Sequence, residues 1–277
     1  MKTKCLLVDK SPHYHSQVTH IDLPALKEEE VLVKVSYSSI NYKDALAVTG
    51  KGKILRHFPC IPGIDLSGTV EDSRSKNILP GQQVVVTGHG LGTAIHGGFS
   101  QYTIVPASWV ITCPDSLCLR SSMILGTAGF TAALAVERLQ HNGLDKKQGS
   151  VCVTGAGGGV GSFSILFLKQ LGYTVTAITR KESQFPYLKK LGADETLTLE
   201  SLQGKKDLLE SSLWSGAIDN IGGWTLDYLL RSTHPWGSVA SIGLALSPEL
   251  NTNVMPFILR GVSLLGISSS NTPRNLR

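Results

Sequence analysis

The chain has 277 residues, which is enough for about two domains. Its hydrophobic fraction of 42% is ordinary for a globular protein with a large core. The net charge is +5 and the basic residues are scattered, so no block of like charge indicates a nucleic-acid arm or a membrane patch. The lysine pairs at 189–190 and 205–206 are expected to lie on solvated faces. We therefore expect a mildly basic enzyme that binds neither nucleic acids nor membranes.

The cysteine pattern predicts a reduced protein without a structural zinc site. There are five cysteines, none in a C-x-x-C pair, and the odd count and scattered spacing argue against a disulfide framework. The N-terminal residues lead into a short strand without the apolar core of a signal peptide, and no apolar run reaches the length of a membrane span. These features predict a cytoplasmic protein.

The first part of the chain has the pattern of short β-strands. Several segments alternate apolar and polar residues, as at Val31, Val33 and Val35. Proline and glycine residues between the segments predict tight turns. The candidate strands are residues 4–9, 31–39, 66–71, 83–87, 99–106 and 109–112. Short strands at this spacing predict a small antiparallel barrel.

From about Ser121 the pattern changes to alternating helices and strands. A helical run rich in alanine and leucine covers residues 121–138. The segments that follow are 151–154, 162–171, 174–178, 182–191, 195–198, 217–221, 224–230, 238–242 and 262–267. This alternation predicts an α/β fold with a doubly wound parallel sheet. We expect a β domain over 1–120 and a nucleotide-binding domain over 121–277, with substrate and cofactor meeting in the cleft between them.

A glycine-rich turn between a strand and a helix is the strongest functional signal. Such a turn needs glycine for positive φ, for the close approach of a phosphate and for packing of the helix on the strand. The motif A-x-G-x-x-G spans residues 156–161, within the strand–helix–strand context that a dinucleotide site requires. The first N–H groups of the helix can bind a pyrophosphate. The residues expected to contact the cofactor here are Ala156, Gly158, Gly159, Val160 and Gly161.

Motifs spread over the whole chain resemble those of the medium-chain dehydrogenase/reductase family. Three of them are N-Y-K-D-A-L-A at 41–47, F-P-C-I-P-G-I-D at 58–65 and R-K-E-S-Q-F-P-Y-L-K-K-L-G-A at 180–193. Together they are most similar to the acrylyl-CoA reductase group of the quinone oxidoreductase branch. The resemblance implies a GroES-like antiparallel β-barrel catalytic domain followed by a Rossmann domain.

The resemblance also implies an enzyme without zinc. Zinc alcohol dehydrogenases carry a cysteine at the position of Asn41 and a G-H-E signature at the position of residues 63–65. Here Ile64 cannot ligate a metal, and Asn41 is a poor zinc ligand. The zinc-free branch contains quinone oxidoreductases and enoyl reductases, and members of the acrylyl-CoA reductase group use NADPH to reduce an activated C=C bond. We therefore expect an NADPH-dependent reductase of an acrylyl-CoA-type enoyl thioester. The alternatives are an NADPH:quinone oxidoreductase and an inactive nucleotide-binding or interaction protein.

The end of the second strand of the nucleotide-binding domain favours NADP(H). Enzymes that use NAD place a carboxylate at this strand tip to bind the ribose 2′-hydroxyl. Here the tip carries Arg180 and Lys181, which could pair with a 2′-phosphate. Ser183 could add a hydroxyl donor, whereas Glu182 fits the first turn of the following helix.

The resemblance places further residues at the cofactor. Thr127 and Thr131 lie where family members contact the nicotinamide, although small residues there also suit helix packing. Two later strand ends are implied to line the cofactor groove, and they carry Asn220, Gly243 and Leu244.

Reduction of an enoyl thioester builds charge on the carbonyl oxygen and requires a proton at the α-carbon. The resemblance makes Tyr42 the candidate proton donor, because a phenol is protonated at neutral pH. An aromatic wedge that shapes the cleft is its alternative role. Asn41 could hydrogen-bond to cofactor or substrate, and Asp44 could orient the loop or cap a helix. Asp65 is expected to be a structural carboxylate under the floor of the cleft.

Family members continue for several tens of residues beyond the position of Arg277. From this we expect the Rossmann domain to be incomplete at its C-terminus, and the family's return segment to the catalytic domain to be absent. Strands near Val239 and Leu264 could pair across a two-fold axis. A homodimer through the Rossmann edge is therefore expected.

Overall fold

The computed structural model of the protein describes residues 1–202 and 207–277. Its contacts divide the chain into two compact units. The first unit is Met1–Thr127 with Ser270–Arg277, and the second is Ala128–Ser269. The sequence predicted a division into 1–120 and 121–277.

Antiparallel strands form the first unit. Its elements are β1 (Lys2–Asp9), β2 (His15–Asp22), β3 (Glu30–Tyr37), α1 (Tyr42–Thr49), β4 (Asp65–Ser73), β5 (Gln83–Thr87), β6 (Tyr102–Pro106) and β7 (Ile111–Thr112). Five of the strands form one sheet in the order β6-β3-β4-β5-β7, and β1 and β2 form a hairpin. Alternate positions of β3 and β5, such as Val31, Val33, Val84 and Val86, are fully buried in one core. The predicted two-residue alternation is therefore the pattern of a half-buried sheet.

No predicted segment covered strand β2 or helix α1 of the first unit. Strand β2 has the sequence H-S-Q-V-T-H-I-D and is largely exposed along its length, so its apolar signal is weak. It forms because every residue from His15 to Asp22 pairs with β1. Helix α1 is only eight residues long. Element formation here depends on tertiary partners, which sequence patterns do not show.

Parallel strands and helices form the second unit. After α2 (Leu119–His141), which contains the junction of the two units, the elements are β8 (Ser150–Val153), α3 (Gly159–Gln170), β9 (Val175–Thr179), α4 (Phe185–Leu191), β10 (Glu195–Thr198), β11 (Trp214–Asp219), α5 (Trp224–Ser232), β12 (Thr233–Ser241), α6 (Met255–Arg260) and β13 (Ser263–Gly266). All pairs in the sheet are parallel, and the order is β10-β9-β8-β11-β12-β13. This order confirms the predicted doubly wound Rossmann sheet.

The sheet order fixes where a ligand binds in the second unit. Strand β8 lies between β9 and β11. The chain adds β9 and β10 on one side of β8 and then crosses to the other side, where it adds β11, β12 and β13. Ligands of such sheets bind outside the carboxyl ends of the strands at this switch point. The glycine turn follows β8 directly, and Asn220 follows β11.

Some element bounds differ from the predicted ones for identifiable reasons. The predicted helix 182–191 is a 3₁₀ turn at Glu182–Gln184 followed by α4, which has Pro186 in its first turn. Trp109 belongs to a 3₁₀ turn, and the strand after it is only Ile111–Thr112. Among the lysines expected to be solvated, Lys189 and Lys190 are exposed, whereas 205–206 lie outside the described residues.

Helix α2 is the one segment of the described chain long and apolar enough to span a membrane by length and composition. Half of its most apolar 18-residue stretch is buried within the protein. It also breaks at Gly126, whose φ of 47° and ψ of −154° are not helical. These are features of a core helix, and core helices can have the same length and hydropathy as a membrane span.

Candidate cofactor site and candidate catalytic residues

The glycine turn of the second unit is built so that α3 packs directly on the end of β8. Gly155 has a φ of 57°, a conformation that side chains with a Cβ rarely adopt. A Cβ on Gly161 would lie 2.6 Å from the carbonyl oxygen of Gly155 and 2.7 Å from the Cα of Ala156. Both obstacles are backbone atoms, so only glycine allows this approach.

Backbone hydrogen bonds hold the turn in place. The N–H of Ala156 donates to the carbonyl of Ile178 on the neighbouring strand at 3.0 Å, and Gly158 donates to Gly155 at 2.9 Å. Helix α3 begins at Gly159, and Val160 lies in its first turn. The first N–H groups of a helix lack intrahelical acceptors and carry the positive end of the helix dipole. The predicted residues 156 and 158–161 therefore lie together in a turn suited to a pyrophosphate.

A buried carboxylate joins the two strand ends at the switch point. Asp219 is fully buried, and its Oδ1 accepts from the hydroxyl of Thr154 at 2.7 Å. Its Oδ2 accepts from the N–H of Gly222 at 2.8 Å. Burial raises the pKa of Asp219, and the hydrogen bond from Thr154 acts in the opposite direction. The network fixes the end of β11 relative to the end of β8.

Asn220 presents a hydrogen-bond acceptor at this edge. Its backbone N–H donates to the Thr154 hydroxyl at 3.0 Å, and its Nδ2 donates to the Thr154 carbonyl at 2.7 Å. Its Oδ1 is buried and accepts no hydrogen bond from the described residues. An unsatisfied buried acceptor costs free energy, which a ligand hydroxyl or amide can recover. The switch point therefore fits a bound dinucleotide.

The tip of β9 carries positive side chains and no carboxylate. Arg180, Lys181 and Ser183 are exposed, and none forms a recorded salt bridge within residues 1–202 and 207–277. The Lys181 N–H donates to the hydroxyl of Thr179 at 3.3 Å. Glu182 is exposed in the 3₁₀ turn rather than placed at the strand end. This arrangement is compatible with a 2′-phosphate.

Two residues at the turn were not singled out from the sequence. Gln184 accepts from the Thr179 hydroxyl at 2.6 Å and lies against Gly157, which leaves no room there for a Cβ. Tyr187 donates to the hydroxyl of Ser162 in α3 at 3.0 Å. Both residues follow the end of β9, where a carboxylate would indicate NAD and basic side chains favour NADP(H). Their proximity to the turn depends on how the chain folds back from β9 to α3.

The predicted residues after β12 lie next to Asn220. The N–H of Gly243 donates to the carbonyl of Asp219 at 3.4 Å, and a Cβ on Gly243 would overlap the carbonyl of Asn220. Leu244 is 63% exposed, so its side chain is free to contact a ligand. A shallow groove of the second unit is lined by Gly222, Gly243, Leu244 and Ser247, among others.

In the first unit, Asp65 is the centre of a buried hydrogen-bond cluster. It is fully buried, at the start of β4. The donors to its carboxylate are Ser39 Oγ, Asn41 Nδ2 at 2.9 Å, the Thr127 N–H at 2.9 Å and Thr127 Oγ1 at 2.5 Å. The carboxylate thus fixes two predicted site residues, Asn41 and Thr127. Its predicted structural role agrees with these contacts.

The break in α2 makes this cluster possible. A Cβ on Gly126 would lie 2.8 Å from Asp65 Oδ2 and 2.9 Å from Ser39 Oγ. Glycine therefore provides both the non-helical backbone angles and the space for the carboxylate. The next N–H, of Thr127, then points at Asp65 instead of into the helix.

The other candidate catalytic residues lie at the start of α1. Asn41 is the N-cap of the helix, and Tyr42 is its first residue and is 68% exposed. Asp44 is buried, and its carboxylate accepts from the N–H groups of Asn41 at 2.8 Å and Ile64 at 3.0 Å. Burial raises the pKa of Asp44, and the nearby charge of Asp65 adds to this effect. These two hydrogen bonds connect the start of α1 to Ile64, the residue before β4.

Thr131 and the candidate metal positions complete the predicted set. Thr131 is buried in α2, in the second unit. Within the part of the chain that the structure describes, no group of three or more histidine, cysteine, aspartate or glutamate side chains could hold a metal ion. At the two positions where zinc alcohol dehydrogenases carry metal ligands, Asn41 Nδ2 donates a hydrogen bond to Asp65, and Ile64 is buried.

Two family models match the chain in the order of the two units. A model described as an alcohol dehydrogenase GroES-like domain matches residues 27–115. A model described as a zinc-binding dehydrogenase matches residues 159–276. The first confirms the GroES-like expectation, and the second covers the glycine turn from Gly159 onwards.

Relatives match over almost the whole chain. The acrylyl-CoA reductase AcuI of Ruegeria pomeroyi is 43% identical over 272 residues, which are 97% of this chain and 82% of that protein. YhfP of Bacillus subtilis, which is named as a proposed quinone oxidoreductase, is 45% identical over 270 residues, or 97% of this chain and 81% of that protein.

Solved structures of relatives share the fold of this chain. The YhdH oxidoreductase of Salmonella enterica in complex with NADP has a TM-score of 0.94 and 44% identity, and the match covers 99% of this chain and 84% of that one. The structure of Bacillus subtilis YhfP with NAD bound has a TM-score of 0.94 and 42% identity, with 100% and 84% covered. The chain therefore belongs to the medium-chain dehydrogenase/reductase family, in the group that includes acrylyl-CoA reductase AcuI and YhfP.

Proposed function

We propose that the protein is an NADPH-dependent, zinc-independent reductase of an activated C=C bond, with an acrylyl-CoA-type enoyl thioester as its substrate. The observation that carries the proposal is the glycine turn at the switch point, together with the unsatisfied Asn220 Oδ1 beside it. The name of the Ruegeria pomeroyi relative supports the choice of substrate. The NADP bound to the Salmonella enterica structure supports the choice of cofactor.

When bound, NADPH supplies a hydride to the carbon β to the substrate carbonyl. The chain's own residues bind the cofactor, keep the polar groups of the site in one orientation and protonate the substrate. The N–H groups of the turn at 158–161 hold the pyrophosphate, and Arg180 and Lys181 pair with the 2′-phosphate. Tyr42 donates the proton that the α-carbon of the substrate needs after reduction. Asp65 positions Asn41 and Thr127, so that their polar groups keep one orientation.

Replacing Arg180 by alanine is expected to weaken NADPH binding about tenfold while leaving NADH binding unchanged. The guanidinium is exposed and has no recorded salt bridge within the described residues, so its loss removes a phosphate contact without breaking a structural one. Titration of both cofactors against wild type and Arg180→Ala measures the effect. Lys190→Ala, which removes an exposed charge from α4, is the matched control. An unchanged NADPH:NADH ratio in Arg180→Ala would refute the role of Arg180.

Tyr42→Phe is expected to lower kcat with acrylyl-CoA by about 10²-fold, because general acid catalysis contributes that much or more. The KM for NADPH should not change, since the phenol acts on the substrate. Tyr37→Phe, another exposed tyrosine of the first unit, is the control. A kcat equal to that of wild type would leave Tyr42 as an aromatic wedge and assign proton donation elsewhere.

The second candidate is an NADPH:quinone oxidoreductase, which the name of YhfP favours. The two activities are separated by measuring NADPH oxidation with acrylyl-CoA and with a small quinone. Turnover of the quinone alone would replace the first proposal by the second. A protein that neither binds nor oxidises NADPH would favour a non-enzymatic binding or interaction role.

We propose that the protein forms a homodimer through β13. This strand is an edge of the six-stranded sheet, and its Leu264 is 37% exposed. Trp236, Ile258 and Leu259 of the second unit are also exposed apolar residues, at 60–78%. A sheet edge with unpaired N–H and C=O groups can pair with a second copy of itself. Light scattering that gives the mass of a single chain would contradict this proposal.

We also propose a cytoplasmic location. All five cysteines are free, and four of them are buried. Unpaired thiols are usual in a reducing compartment. Recovery of the intact native protein in the soluble fraction of its source cells would support the proposal, and recovery in an oxidising compartment would contradict it.

A further inference from the structure

A basic surface lies at the end of α1 opposite to Tyr42. It consists of Lys10, Lys51, Lys53 and Arg56, all of which are exposed in the first unit. We propose that this surface, the α1 basic surface, binds the phosphates of a CoA thioester. The inference rests on the proposed function and specifies the part of the substrate that the reductase recognises away from the reacting carbons.

Aromatic contacts bring Lys10 to this position from the β1–β2 turn. The Nζ of Lys10 lies 4.7 Å from the ring centroid of Phe58, within the range of a cation–π interaction. Phe58 in turn packs edge-on against Tyr14, with ring centroids 5.7 Å apart. Lys10 and Arg56 are far apart in sequence, and Phe58, which Lys10 contacts, is two residues after Arg56.

The same tyrosine holds the end of α1. The Tyr14 hydroxyl donates to the carbonyl of Ala47 in the last turn of the helix. Gly50 caps the helix with a φ of 70°, and a Cβ there would lie within 3.0 Å of the Tyr14 ring. Lys51 follows this fixed glycine directly. Phe58 and Tyr14 therefore connect Lys10 to the end of α1, where the loop with Lys51 and Lys53 begins.

The charge of this surface is not neutralised within the described residues. Residues 45–64 include two lysines, one arginine and no acidic side chain. The recorded salt bridges involve none of the four cations. Asp9, the acid beside Lys10, already accepts from the backbone N–H groups of Lys10 and Ser11 at 2.7 and 3.4 Å. The negative end of the α1 dipole amounts to about half an elementary charge, which is too small to account for four cations.

The placement of the surface fits a substrate with a reacting group at one end and phosphates at the other. Helix α1 has eight residues, so about 12 Å separate Tyr42 from the basic loop. In a CoA thioester, the pantetheine arm separates the acyl group from the diphosphate and can cover this distance. A small quinone has no anionic group to place there. The α1 basic surface therefore favours the thioester over the quinone.

The test compares binding of CoA and of pantetheine, which lacks the phosphates, by titration calorimetry with saturating NADP+. Saturation prevents CoA from occupying the cofactor site. We expect wild type to bind CoA at least about tenfold more tightly than pantetheine, because phosphate pairs with lysine and arginine are charge-assisted. This preference should fall to about twofold or less in Lys51→Gln/Lys53→Gln/Arg56→Gln. It should also decrease as salt is raised, because salt screens exposed charges.

A matched variant controls for net charge. Lys2→Gln/Arg74→Gln/Lys76→Gln also removes three exposed positive charges from the first unit, at positions outside α1 and the loop that follows it. It should retain the CoA preference of wild type. Equal binding of CoA and pantetheine by wild type would overturn the inference, and so would an equal loss in the two triple variants. Circular dichroism checks that both variants are folded.

Turnover separates this inference from the proposed function. Acrylyl-CoA and acrylyl-pantetheine share the same reacting group. If wild type reduces both with the same KM and does not prefer CoA over pantetheine in the calorimeter, the basic surface has no role and the reductase assignment stands. If wild type prefers CoA in the calorimeter but reduces neither thioester, the surface stands and the reductase assignment fails.

Discussion

Gly161→Ala is expected to lower NADPH affinity about 100-fold while the protein remains folded. The added Cβ would lie 2.6 Å from the carbonyl oxygen of Gly155 and 2.7 Å from the Cα of Ala156. Neither backbone atom can move by a side-chain rotation, so the turn or α3 must shift. Overpacking of this kind costs about 1–3 kcal/mol of stability. A displacement of about 1 Å at a positioned site can cost about 10²-fold in function.

Fluorescence titration with NADPH and chemical denaturation measure the two effects separately. Gly266→Ala is the matched control, because a Cβ there has no neighbour within 4 Å and the residue lies in β13 of the same unit. The control should bind NADPH like wild type, with a change in unfolding free energy below about 0.5 kcal/mol. Wild-type affinity in Gly161→Ala would show that the turn does not contact the pyrophosphate.

The family, the fold class and most elements of the second unit could be predicted from the sequence. Strands such as Val175–Thr179 are buried along their whole length, so their local apolar pattern carries most of the information. The glycine turn was predicted because its chemistry is local. Gly155 is needed for its positive φ, and Gly161 is needed because backbone atoms of the same turn leave no room for a Cβ.

Contacts between distant segments could not be predicted in the same way. Asp65 accepts from Asn41 and Thr127, which are 24 and 62 residues away in sequence. Asn220 is held by Thr154 across 66 residues. The sequence identified these residues through family resemblance, without indicating which of them share a carboxylate or which acceptor remains unsatisfied. Those properties follow from strand order and from the break in α2, which depend on tertiary packing.

Asp65→Ala is expected to lower the free energy of unfolding by about 3–5 kcal/mol, because loss of one partner from a buried network leaves the others unpaired. Asn41 Nδ2, the Ser39 hydroxyl and two donors of Thr127 all point at its carboxylate. Each buried donor left without an acceptor costs about 1–3 kcal/mol. The backbone N–H of Thr127 cannot turn away, because Gly126 fixes its direction. Since domains of this kind are stable by about 5–15 kcal/mol, this loss is a large fraction of the total.

The variants Asp65→Asn and Asp72→Ala separate the contribution of the network from that of a carboxylate in general. Asparagine keeps the shape and one accepting oxygen, so it should lose less stability than alanine. Asp72 is an exposed aspartate of the same strand, and its carboxylate accepts the N–H of Ser73. Its replacement should cost less than about 0.5 kcal/mol. Urea denaturation measures all three variants. If Asp65→Ala were as stable as Asp72→Ala, the cluster would not order Asn41 and Thr127. A fall in kcat of Asp65→Asn without a matching loss of stability would instead assign Asp65 to positioning those two side chains for the reaction.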